Sequence, residues 1–146
     1  MNGIAALGVL LALVAVATVA GLLWRATTGR ARTARRAETV RAAEVGATGF
    51  GERATLLQFS TEFCALCPAT ARVLDASARS EPGVAHVEVD LTARPDLAHR
   101  FSVLQTPTTL VLDGAGTVRA RIGGAARPAD VRATLDRVLG SDHVTA

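Results

Sequence analysis

The sequence has no lysine and no tyrosine, and all 16 of its basic residues are arginine. With the abundance of alanine, that absence reads as the mark of a GC-rich genome and points to no function. An excess of positive charge is also missing from most of the chain. From Phe50 onward ten Arg face eleven acids, a local −1, although the whole chain carries a formal +3. That part offers no basic surface to hold a phosphate backbone, which excludes nucleic acid as a partner. Cysteine is scarce, with Cys64 and Cys67 the only two. His86 and His99 are too far apart in sequence to complete a second close ligand pair, which argues against a structural zinc site built with them. No internal repeat is present.

Charge is wholly absent from Ile4 to Trp24. A helix of that length, at 1.5 Å per residue, covers about 30 Å, the thickness of the hydrocarbon core of a bilayer. A buried soluble helix of this length would need a polar face, and none is present. Trp24 closes the stretch where an interfacial aromatic belongs. A cleavable signal peptide is the alternative, with Ala15-Val16-Ala17 as its cleavage site. The first three residues carry no basic side chain, however, and the apolar stretch is long for a signal core. An uncleaved anchor over residues 1–25, in contact with membrane lipid through residues 4–24, is the reading preferred. From Arg25 to Glu44 six Arg face two Glu, a local +4. By the positive-inside bias those arginines place the remainder of the chain on the cytoplasmic side, and they meet anionic lipid. The extracytoplasmic side is the alternative. Residues 26–49 read as a basic juxtamembrane linker, in which Val40 to Ala43 could form a short edge strand.

The chemistry-bearing stretch is Phe63-Cys64-Ala65-Leu66-Cys67. It follows an apolar strand, Arg53 to Phe59, and precedes a helix from Cys64 to about Arg79. A helix N-terminus offers unpaired N–H groups and a partial positive charge, which lower the pKa of a nearby thiol. A mixed disulfide formed on Cys64 can be resolved by Cys67. As a structural crosslink the pair would close too small a loop to stabilise much. Pro68 removes an N–H and disfavours helical geometry at Cys67, so the helix start is expected to be strained or shifted there.

Further along, Val84 to Asp90 alternates and reads as a strand. Arg94 to Phe101 is a short helix with Pro95 in its first turn. Thr108 to Leu112 is a continuous apolar strand. Asp113 to Gly116 is a hairpin turn, and Thr117 to Ile122 pairs back. Gly123-Gly124 breaks that strand, and Pro128 to Leu139 is a closing amphipathic helix. The packed domain is expected over 50–141, with a frayed tail at 142–146. The order gives a central mixed sheet with helices on both faces.

The strand ending in Phe59, the Cys64/Cys67 pair, Thr106-Pro107-Thr108 before an apolar strand, and Gly123-Gly124 together resemble the thioredoxin superfamily. The resemblance covers roughly Arg53 to Gly140. It implies a thioredoxin-like α/β fold after a single N-terminal transmembrane helix. It further implies Cys64 as nucleophile, Cys67 as resolving thiol and Pro107 as a cis-proline beside them. Thr106 would present backbone groups to an extended substrate, and Phe63 would help to position it. Family members often carry Trp before the first Cys and Gly-Pro between the two; here Phe63, Ala65 and Leu66 stand there. Where thioredoxins proper bury an Asp that accepts the proton of the resolving cysteine, this chain has Gln58, which cannot titrate. His86 and Glu62 are the nearby candidates for proton transfer, although a half-buried strand histidine is the blander account of His86.

The function so implied is a membrane-tethered thiol–disulfide oxidoreductase that reduces protein disulfides. It would use no cofactor beyond the Cys64–Cys67 disulfide and would need a separate electron donor or acceptor. The alternative is a non-catalytic thioredoxin-like module that holds a partner at the membrane.

Overall fold

A computed structural model describes residues 3–27, 30–34 and 38–141. The expected frayed tail at 142–146, together with Arg35 and Arg36 of the juxtamembrane stretch, lies outside the described residues.

The first element is α1 (Gly3–Thr27), 25 residues long. It is long and apolar enough to cross a membrane. Its leucines and valines lie open to the surroundings, Ile4 at 87% exposure. β1 (Ala31–Thr33) follows, then a 3-10 turn at Ala42–Val45. The remaining elements are β2 (Ala54–Ser60), α2 (Cys67–Ser80), β3 (Val84–Asp90), α3 (Pro95–Arg100), β4 (Thr108–Asp113), β5 (Val118–Gly123) and α4 (Pro128–Ser141).

The five strands form one mixed sheet in the order β1-β5-β4-β2-β3. β2 and β3 are parallel, joined across α2, while β4 runs antiparallel to both β2 and β5. Successive side chains on a strand point to opposite faces, and the buried strands split accordingly. Leu57, Phe59, Leu110 and Leu112 meet Leu97 of α3 and its neighbour Phe101. Leu56, Val111, Ala120 and Ile122 meet Leu74 of α2 and Val131, Leu135 and Val138 of α4. Phe59 and Phe101 stack with centroids 5.3 Å apart.

Three features differ from the expectation. First, the stretch read as a linker belongs to the packed unit. β1 pairs with β5, Thr39 bridges Thr117, and Val40 and Val45 are buried in the core. Second, Val40 to Ala43 is no strand, because the chain turns into the 3-10 turn directly after the single bridge at Thr39. Third, α2 starts at Cys67 instead of Cys64. Pro68 lies in its first turn, where a missing N–H leaves no helical bond unmade.

The hairpin at 113–116 forms at the end of the sheet away from the cysteines. Asp113 Oδ1 accepts from the N–H groups of Ala115 and Thr117, and Oδ2 accepts from Arg119 Nε. Gly116 has φ of 78°, and a Cβ there would lie 2.5 Å from the carbonyl oxygen of Val40.

Candidate active site

β2 delivers the chain to the rim of the sheet at Ser60, whose carbonyl accepts from the Leu91 N–H beyond β3. Residues 61–66 form a tight loop. The Cys64 N–H donates to the Thr61 carbonyl, and the Cys67 N–H donates to the Cys64 carbonyl. The Glu62 N–H donates to Thr92 Oγ1, tying the loop to the segment after β3.

Cys64 and Cys67 are joined as a disulfide, with Cα atoms 5.4 Å apart. The two sulfurs differ in surroundings. Cys67, the first residue of α2, is 3% exposed, whereas Cys64 in the loop is partly open. Phe63 and Leu66 lie bare on either side, 89% and 55% exposed.

Beneath the pair, Gln58 is fully buried on β2. Its amide nitrogen donates to the Cys67 carbonyl at 3.1 Å. Its Oε1 lies 3.2 Å from His86 Nε2. A carbonyl can only accept, so the amide orientation is set, and Nε2 of His86 carries the hydrogen that Oε1 receives. Burial pushes the His86 imidazole below its ordinary 6.5, against the opposing pull of the Glu88 and Asp75 charges. Thr109 is the register partner of Gln58 on β4. Its hydroxyl, and that of Thr70 in the first turn of α2, are buried and have no hydrogen-bond partner among the described residues.

The second wall is the loop before β4. The Thr106–Pro107 peptide bond is cis. The Pro107 carbonyl accepts from the Gly124 N–H at 2.8 Å. The hydroxyls of Thr106 and Thr61 are 3.3 Å apart, joining this loop to the cysteine loop. Thr108 Oγ1 donates back to the Gln105 carbonyl.

The structure therefore places Gln58 and His86 in one hydrogen-bonded chain ending on the Cys67 backbone. Glu62 is exposed; among the described residues no hydrogen bond or ion pair holds its carboxylate. His99 sits exposed on α3, across the sheet from His86, whose register partner Leu56 packs under α2. Among the described residues no three His, Cys, Asp or Glu side chains converge as metal ligands. Sequence reasoning missed the Thr61–Thr106 contact, the unpartnered hydroxyls of Thr70 and Thr109, and the exposed Leu66.

A mixed sheet with helices on both faces, carrying a cysteine pair joined as a disulfide at the head of a helix beside a cis X–Pro bond, defines a thioredoxin-like α/β domain. The family model described as Thioredoxin matches residues 44–137. The chain belongs to the thioredoxin family. It is 34% identical over 84 residues to thioredoxin C-3 of Corynebacterium nephridii, a match that covers 58% of this chain and 57% of that protein. The chain thus spans little more than half the length of that relative. Among solved structures it is similar to Fasciola hepatica thioredoxin, with 26% identity, TM-score 0.51, and coverage of 60% of this chain and 82% of that one. It shares the fold of thioredoxin-2 of the malaria parasite, with 24% identity, TM-score 0.54, and coverage of 58% and 82%.

Proposed function

We propose that this chain is a thiol–disulfide oxidoreductase, tethered to a membrane by α1, that reduces protein disulfides through Cys64 and Cys67. The observation that carries the reading is the unequal exposure of the joined sulfurs, one open at the loop and one buried at the helix start. An open sulfur can be reached by a substrate; a buried one can be reached only by its neighbour.

In the reduced protein the Cys64 thiolate attacks one sulfur of a substrate disulfide. The substrate S–S bond breaks, and the departing thiolate takes up a proton. Cys67, as thiolate, then attacks Cys64 Sγ. The mixed disulfide breaks, the second substrate thiol leaves, and the Cys64–Cys67 bond forms. Two electrons pass from the protein to the substrate. The sulfurs carry them, so no cofactor enters the cycle. A separate dithiol or equivalent two-electron donor restores the pair.

In this reading Thr106 and Pro107 line the approach of an extended substrate, with Phe63 against its apolar side chains. Gln58 is a positioning residue that holds the first turn of α2 and couples it to His86. Glu62 is a solvent-side candidate for carrying the proton of Cys67 away. The arginines after α1 favour the cytoplasmic side.

The test is insulin-disulfide reduction by the full chain in vesicles with dithiothreitol as donor. Turnover is expected, with loss in Cys64→Ser and accumulation of a mixed disulfide in Cys67→Ser. Absence of turnover in the parent, or turnover that survives Cys64→Ser, would favour the binding-module reading. Labelling of the thiols from each side with an impermeant reagent checks the orientation.

A further inference from the structure

The sheet register shows where the tether joins the domain. Ala31 pairs with Ile122, Ile122 with Thr109, and Thr109 with Gln58. These four residues form one cross-strand row, and its last member is bonded to the Cys67 backbone. Three strand spacings of about 4.8 Å make the row roughly 14 Å wide. β1 runs from Ala31 away from the cysteine end, since Thr33 pairs with Ala120 and Ala120 with Val111. α1 ends at Thr27 and β1 starts at Ala31. Four peptide links reach at most about 14 Å. The membrane helix therefore meets the sheet at the end that carries the disulfide, while the hairpin at 113–116 lies at the other end.

A groove of about 360 Å³ opens at this same end, and Trp24, Arg30, Arg32, Arg121 and Leu104 are among its lining residues. Among the described residues none of those lining it is acidic. Arg32 and Arg121 are direct cross-strand partners, a like-charge pairing that costs stability unless an anion lies between. Arg121 also donates to the carbonyls of Phe101 and Ser102. Glu38 acts on Arg121 through space, but its carboxylate is paired with Arg100. At the rim Leu104 is 95% exposed. Three guanidinium groups, a bare leucine and the anchor's terminal tryptophan match the phosphate and interfacial layers of an anionic bilayer.

We propose that the domain rests on the bilayer by its redox end. Arg30, Arg32 and Arg121 would lie on anionic phospholipid headgroups and Leu104 in the interface, so that Cys64 serves disulfides of membrane proteins close to the surface. This rests on the tethered-oxidoreductase reading above.

The orientation is measured with the full chain in a Trp24→Phe background. One variant carries Leu104→Trp at the redox end; the other carries Ala115→Trp in the far hairpin. Both are placed in phosphatidylglycerol–phosphatidylcholine vesicles that contain a headgroup-linked quencher. Residue 104 is expected to be quenched strongly and residue 115 weakly. An arginine near an anionic surface is worth about fivefold in population. Arg30→Gln with Arg32→Gln, both at exposed positions, should therefore lower the ratio of docked to undocked domain by roughly 25-fold and erase the difference. Equal quenching at the two positions, or a difference that survives the double substitution, overturns the proposal. So does loss of the difference on adding inorganic phosphate, which would assign the groove to a soluble anion.

The substrate class is tested by comparing a membrane peptide whose disulfide lies beside its span with one that carries it on a long extended spacer. Faster reduction of the first is expected, and equal rates overturn that part. Failure to float with vesicles refutes the tether and this proposal together. Failure to reduce either peptide, or insulin, with quenching as expected, refutes the oxidoreductase reading and the substrate class with it, and leaves the orientation standing.

Discussion

Replacing Gln58 by leucine tests whether the buried amide holds the start of α2. The change preserves much of the volume and removes two hydrogen bonds, to the Cys67 carbonyl and to His86. Each neutral bond is worth about 1 kcal/mol net. The Cys67 carbonyl keeps its own helical partner four residues on, and half-buried His86 can turn to water, so neither group bears the full cost of an orphan. Added apolar contact offsets part of the loss. The net fall is about 1–2 kcal/mol, or roughly 5–10 °C in Tm for a domain of this size. Urea and thermal unfolding of the oxidised full chain in micelles would measure it. A companion, Gln58→Glu, sets a carboxyl oxygen against the Cys67 carbonyl in a buried site. Its folded-state pKa must rise above the unfolded value of about 4.3. Native protein then binds more protons than unfolded chain, so stability falls as pH rises through that window. A leucine variant as stable as the parent, or a glutamate variant with stability flat in pH, would refute the bridge.

The remaining expectations concern separate parts of the fold. His86 is held below its ordinary 6.5 by burial, so the unfolded chain binds the proton more readily. Stability should therefore decline as pH falls below about 6.5, and urea midpoints of His86→Gln should lose that slope. Thr70→Val replaces a buried hydroxyl that has no partner among the described residues and should be neutral or stabilising by up to about 1 kcal/mol in chemical denaturation; a clear loss would show the hydroxyl is engaged. Phe59→Ala, which removes a fully buried ring stacked on Phe101, should cost about 3–5 kcal/mol by the same measurement. Gly116→Ala must accept positive φ and a contact with the Val40 carbonyl, and should cost about 1–3 kcal/mol, seen as an earlier thermal transition.

The strands from residue 54 onward were legible because their apolar runs are long and the turns between them carry Gly, Pro or Asp. The Cys64/Cys67 pair and Pro107 were legible because they form a spaced motif. β1 was not, since Ala31-Arg32-Thr33 is too short to show alternation and is made a strand only by pairing with β5. Val40 and Val45 were hidden for a related reason. Each is a single valine among alanines, glycine and polar residues with no strand or helix period, and its burial comes from the core cluster it joins with Phe59, Leu110 and Leu112. The start of α2 was misplaced because a periodic pattern marks a helix face, whereas the boundary depends on how the loop at 61–66 closes on its own carbonyls. Gln58 was correctly located, but its two partners come from different elements and could not be paired from spacing.

β3 is the outermost strand on its side of the sheet, and its free main-chain groups could template pairing with a neighbouring copy. On one of its faces stand His86, Glu88 and Asp90, alternating with the apolar side chains of the other. Glu88 and Asp90 bring two carboxylates to that strand, and like charges set side by side across a shared edge oppose such pairing.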